Sequence, residues 1–107
     1  MNTFTPALAR LINQLFEAEK KASKNEALQP VQKNLERMKA AIGELGWRIH
    51  NPVGELYNES RTDCEASIAG NVARPLVITD VLKPIVFQIA DGKPLLVQKG
   101  VVIADNQ

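Results

Sequence analysis

His50 is the only histidine of this chain and Cys64 its only cysteine. A histidine moves protons near neutral pH, and a cysteine thiolate attacks electrophiles or binds metals. Acid–base or nucleophilic chemistry would start at these two positions. A catalytic histidine needs a nucleophile or carboxylate beside it, and the sequence places none next to His50. Its neighbours, Ile49 and Asn51-Pro52, suggest a strand end entering a turn. Cys64 falls in phase with Ala66 and Ile68, where a buried cysteine acts as a small hydrophobe. One His and one Cys allow neither an internal disulfide nor a Cys/His zinc site, which takes about four ligands.

Glu55, Glu59, Asp63 and Glu65 put four carboxylates within eleven positions. Such a cluster could attract a hard cation. However, the regular oxygen spacing and central glycine of a calcium loop are absent, and a solvated acidic face is the simpler reading. Acid–base work by two of these groups stays open, and so does a small enzyme using His50 with them. The six glycines, at 43, 46, 54, 70, 92 and 100, are scattered and make no phosphate-cradling loop. Lys20, Lys21, Lys24, Lys33, Arg37 and Lys39 lack interleaved aromatics. They read as a solvated helix face rather than a nucleic-acid platform. The net charge of +1 implies no polyanion-binding field. No metal, cofactor or nucleic acid is expected.

The elements that must position these residues follow from composition and period. The chain has 107 residues, enough for one small domain or a helical arm with a compact head. Residues 1–53 carry eight Lys/Arg against five Asp/Glu, and residues 54–107 five against seven. The apolar period changes near the same place. Thr5 caps a helix with Pro6 at its first position, and Leu8, Leu11, Ile12, Leu15 and Phe16 share one face. Glu17 to Lys24 is charged, so this helix is expected to leave the core or fray there. Asn25 to Gln29 reads as a break and Pro30 as a second helix start. Val31, Leu35, Met38, Ile42 and Leu45 then form a seam of the kind that packs on another helix. Two copies would bury both seams in a four-helix bundle, so a homodimer is expected through these five residues. Gly46 ends the helix.

Beyond it, Cys64 to Ile68, Leu76 to Leu82, Ile85 to Ile89, Leu95 to Val97 and Val101 to Ile103 read as strands. Asp91-Gly92 marks a tight hairpin, Asn58 to Asp63 a loop, and the last three residues a frayed tail. The fold class is therefore α+β: an N-terminal helical hairpin over 1–46, then a small, mainly antiparallel β-domain of four to six strands over 47–107. No apolar run approaches the ~20 residues of a membrane span, and the first residues lack a basic-then-apolar pattern. The expected compartment is the cytoplasm, without a membrane partner.

Leu45-Gly46-Trp47-Arg48-Ile49, Asn51-Pro52-Val53-Gly54-Glu55-Leu56-Tyr57-Asn58 and Glu65-Ala66 together resemble the entry to the β-head of the GrpE family of nucleotide-exchange factors. Ile78-Thr79-Asp80-Val81-Leu82, a spacer to Gly92, and Leu95 to Ala104 resemble its closing strands. The similarity spans about residues 42–104. Asn58-Glu59 stands where the family has Asp-Pro, Cys64 replaces its His, and Gln98-Lys99-Gly100 replaces Arg-Pro-Ala. The family's long N-terminal helix has no counterpart. The resemblance implies a GrpE-head-like domain on a helical dimerisation segment. It implies a co-chaperone that promotes ADP release from a DnaK-type chaperone ATPase domain, with no catalytic group of its own. Glu55, Tyr57, Arg61, Lys83 and Lys99 are the partner-contact candidates. The alternative is a non-catalytic adaptor or oligomerisation module that has lost exchange activity.

Overall fold

The computed structural model describes residues 3–107. The chain divides into two compact units, Met1–Ile49 and His50–Gln107. The division falls three residues beyond the expected start of the β-domain at Trp47.

In the first unit, α1 (Pro6–Ser23) begins as its sequence dictates. Thr5 is the N-cap, its Oγ1 accepting from Leu8 N at 3.1 Å, and Pro6 leads the first turn. Ile12, Leu15 and Phe16 are buried. The expected fraying over Glu17–Lys24 does not occur: α1 stays helical to Ser23 and Ala22 is buried. The charged stretch holds because long side chains cover apolar surface while their heads stay wet. The Lys20 ammonium lies 5.8 Å from the centre of the Phe16 ring. A short 3-10 turn (Glu26–Leu28), capped by Asn25, leads into α2 (Gln29–Glu44), and the two helices pack on each other.

The five-residue seam of α2 divides in two. Leu35 and Ile42 are buried within the single chain, whereas Val31, Met38 and Leu45 are 47%, 47% and 76% exposed. Strand β1 (Trp47–His50) follows Gly46, and the Trp47 ring stacks at a tilt on Phe4, centroids 5.4 Å apart.

The second unit is strand-built: β2 (Leu56–Tyr57), β3 (Cys64–Ile68), β4 (Leu76–Lys83), β5 (Ile85–Ala90), β6 (Lys93–Gln98) and β7 (Gly100–Asn106). With β1, the strands among the described residues number seven, above the expected four to six. Asp91-Gly92 closes the β5–β6 hairpin with positive φ at both residues, 53° and 75°, as a type I′ turn requires. The remaining strands form a sheet in the order β2–β4–β7–β3, with one parallel pair, β3–β7, among antiparallel ones.

Cys64, Ile78, Val81, Ile85, Val86, Val102 and Ala104 are buried in this unit. Each large aliphatic among them contributes about 1.5–3 kcal/mol by leaving water. The expected frayed tail is instead ordered strand. β7 runs to Asn106, whose side chain accepts from Asn71 N at 2.7 Å and donates to the carbonyls of Asn71 and Pro75. Those bonds pin the 69–75 connection to the sheet. Among the described residues, no helix is long and apolar enough to cross a membrane.

Candidate functional site

The turn after β1 is built by short-range polar bonds. Asn51 Oδ1 accepts from Val53 N, and Gly54 adopts a φ of 86°, in the left-handed region that favours glycine. Two backbone bonds then lock the turn to β4: Gly54 N donates to Ile78 O at 2.8 Å, and Ile78 N to Glu55 O at 2.9 Å. The Glu55 carboxylate is thereby fixed in position. His50 Nε2 lies 2.6 Å from Glu55 Oε2. An ionised carboxylate only accepts, so Nε2 carries the hydrogen.

The second oxygen of Glu55 belongs to Arg61. Arg61 Nη2 donates to Glu55 Oε1 at 2.7 Å, Nη1 to Leu56 O at 2.9 Å, and Nε to Asp63 Oδ1 at 2.6 Å. The loop that presents Arg61 is folded by Asn58, whose Oδ1 accepts from Ser60 N and from the Ser60 hydroxyl. One chain of contacts thus runs His50–Glu55–Arg61–Asp63. The hydrogen bonds that Arg61 donates to Asp63 raise the Arg61 pKa above its ordinary value. Arg61 holds the Asp63 carboxyl below its ordinary value. Burial pushes the Glu55 carboxyl up, but hydrogen bonds from Arg61 and His50 outweigh it and the net shift is down. Burial, with the Asp63 charge beside it, pushes the Cys64 thiol up to about 11. That is the opposite of what a thiolate nucleophile needs.

The acidic cluster is therefore not one solvated face. Glu55 and Asp63 are paired through Arg61, while Glu59 and Glu65 remain exposed. Among the described residues, no group of three or more His, Cys, Asp and Glu side chains is arranged to hold a metal ion. The pairing of His50 with Glu55 escaped sequence reasoning because it depends on the Gly54 turn doubling the chain back. The x-Pro-x-Gly spacing between the two residues was the available sign.

The other contact candidates are spread over the sheet. Lys83 ends β4 opposite Val101, and Lys99 immediately precedes β7; both are exposed. They flank the start of β7, where Gly100 N donates to Asp63 O at 2.9 Å. Lys83 and Lys99 thus share one end of the four-stranded sheet, while the Arg61 guanidinium reaches Glu55 and the Leu56 carbonyl in β2. Tyr57 lies apart from the two lysines. It pairs with Leu76 at the opposite end and lines an open groove of about 540 Å³. Sequence reasoning missed that groove, whose apolar walls include Ile68, Val72 and Pro75. Ile68 and Val72 are single exposed apolar residues at a strand end and in a turn, which carry little signal on their own.

In comparisons with family models, curated proteins and solved structures, nothing matches this chain.

Proposed function

We propose that the chain is a GrpE-like co-chaperone that promotes ADP release from a DnaK-type chaperone ATPase domain, acting as a cytoplasmic homodimer. The observation that carries this reading is the Gly54-Glu55 turn. It is bonded to Ile78 by its backbone, braced by Arg61, and sits in a strand-built head that follows a helical hairpin. Its residues are those on which the resemblance to the family rests. Exposed Lys83 and Lys99 at the start of β7 supply cationic contacts on the same unit.

Exchange of this kind needs no bond-making group in the factor. The head must bind the open-cleft ATPase better than the closed, ADP-holding one, because equal affinity for both shifts nothing. Linkage then requires ADP to weaken the complex by the same factor by which the head weakens ADP binding.

The experiment is stopped-flow release of a fluorescent ADP from a DnaK-type chaperone of the same cell, with and without this protein. Faster release, and a complex weakened by added ADP, support the reading. Unchanged release at saturating protein overturns it in favour of the adaptor module.

A further inference from the structure

Strand β3 is an edge of the four-stranded sheet. Its pairing with β7 is phased by two bonds, Gly100 N to Asp63 O at 2.9 Å and Ala69 N to Ala104 O at 2.8 Å. In a parallel ladder alternate residues of a strand bond to a given neighbour. Glu65 and Ser67 therefore spend their backbone groups on β7, and the N–H and C=O of Ala66 and Ile68 point away from the sheet. Neither residue has any other hydrogen bond among the described residues.

The side chains of the same two residues continue an apolar surface. Register puts Tyr57, Leu76 and Asn106 on one face, together with Ile78, Ala104 and Ile68. At the Gly100 end this face is covered by β5. A Cβ on Gly100 would come within 2.9 Å of Ile85 Cγ1. At the other end the 69–75 connection, bonded to the Asn106 side chain, covers this face only in part: Leu76 is buried there but Ile68 is not. The groove of about 540 Å³ opens there, over Ala66, Ile68 and Leu76, with Val72 and Pro75 on the 69–75 wall. Val72 is 73% exposed and Ile68 40%. Glu59 and Arg74 stand on the rim with opposite charges and set no net sign. On the other face of β3, Glu65 is exposed and has no ion-pair partner among the described residues.

We propose that the β3 edge and its groove bind an extended peptide segment of another protein, alternating aliphatic and basic residues, as an added fifth strand. Open N–H and C=O groups fit a peptide backbone, which supplies the affinity in strand addition, while alternate side chains supply the specificity. Aliphatic side chains of the added strand lie beside Ala66 and Ile68 and extend into the groove. The intervening side chain meets Glu65 across the strands, where opposite charges attract and like charges repel. The net −2 of residues 54–107 favours a cationic segment in the same sense. This site is distinct from the Lys83–Lys99 end of the sheet, and failure of the ADP-release experiment leaves it untouched.

The test is a titration of the isotope-labelled full chain, followed by amide NMR, with the blocked peptide acetyl-Thr-Val-Lys-Val-Thr-amide. Two isomers N-methylated on alternate residues serve as controls. The Ala66 and Ile68 amides are expected to move. One N-methyl isomer is expected to lose binding and the other to keep it, because only one edge of the added strand faces β3. Glu65→Lys is expected to weaken the Lys peptide by about fivefold and to favour the Lys→Glu peptide. Ala66→Pro should keep the fold, since an edge residue tolerates loss of an outward N–H, and should lose the peptide. Unmoved Ala66 and Ile68 amides at millimolar peptide overturn the proposal. So does equal binding of both N-methyl isomers. Shifts of these amides with protein concentration alone make the occupant a second copy and overturn it as well.

Discussion

The Arg61 guanidinium grips the Asp63 carboxylate side-on, Nε to Oδ1 at 2.6 Å and Nη2 to Oδ2 at 3.2 Å, while the same Nη2 reaches Glu55. Only a planar fork makes this pattern, since a lysine ammonium is a point donor. Arg61 is mostly buried and ties the loop before β3 to the turn before β2. Arg61→Met should therefore destabilise the head by about 2 kcal/mol, the range for hydrogen bonds to charged groups. Arg61→Lys should recover less than half of that loss. Urea unfolding monitored by Trp47 fluorescence and by circular dichroism measures both.

The same contacts set an acid limit. Glu55 and Asp63 have folded-state pKa values below their unfolded ones. Such groups stabilise the fold fully above their unfolded values and lose that contribution as pH falls through the folded ones. The stability gap between wild type and Arg61→Met should be constant from neutral pH to about pH 5 and close below about pH 4. Urea midpoints across that range give the comparison, and a gap that widens on acidification contradicts the assignment.

Cys64 tests burial at the start of β3. Its side chain is buried and its thiol is pushed up to about 11, so only about one in a thousand is thiolate at pH 8. Alkylation of the native chain should be slow and should accelerate on adding urea in step with unfolding. Rapid native alkylation would mean that β3 opens locally.

Local rules made several of these features legible in the sequence. Thr5-Pro6 gave the helix start and Asp91-Gly92 the hairpin, because caps and type I′ turns depend on the residues that form them. The Glu17–Lys24 stretch runs against the expectation and stays helical to Ser23, since its helicity comes from packing around Phe16 and Ala22 and not from its charged composition. The β3–β7 pairing was invisible because a parallel neighbour lies 36 residues along the chain. The His50–Glu55–Arg61–Asp63 contacts depend on that pairing and on the Gly54 turn together. Spacing in the sequence therefore suggested a solvated acidic face where the fold makes ion pairs.

The exposed stripe on α2 carries the dimer prediction. Val31, Met38 and Leu45 recur at seven-residue intervals and are the seam residues that the single chain leaves uncovered. A stripe at this spacing stays on one side of a helix over several turns. Val31→Lys with Met38→Lys should convert a dimer to a folded monomer, whereas Leu35→Ala should cost roughly 2–5 kcal/mol in either state. Sedimentation velocity at micromolar concentration decides the first. A wild type that sediments as a monomer removes the dimer from the proposed function.

Lys83 and Lys99 provide the sharpest test of partner contact. Both are exposed, both flank the start of β7, and neither has an ion pair among the described residues. Replacing either with Glu removes nothing that holds the head together, and surface changes of this kind usually alter stability by no more than about 0.5 kcal/mol. If these lysines face acidic groups on the ATPase only in its open state, charge reversal removes differential binding rather than binding in general. A loss of about 1.4 kcal/mol in coupling is a tenfold loss in stimulated ADP release. Lys83→Glu and Lys99→Glu should each approach that loss with unchanged urea midpoints, and the double variant should exceed either. Rising ionic strength should weaken the wild type and affect the variants less, because exposed charges are screened within about 10 Å at 0.1 M salt. Variants that stimulate release as fully as wild type at every salt concentration would move the contact surface away from the start of β7.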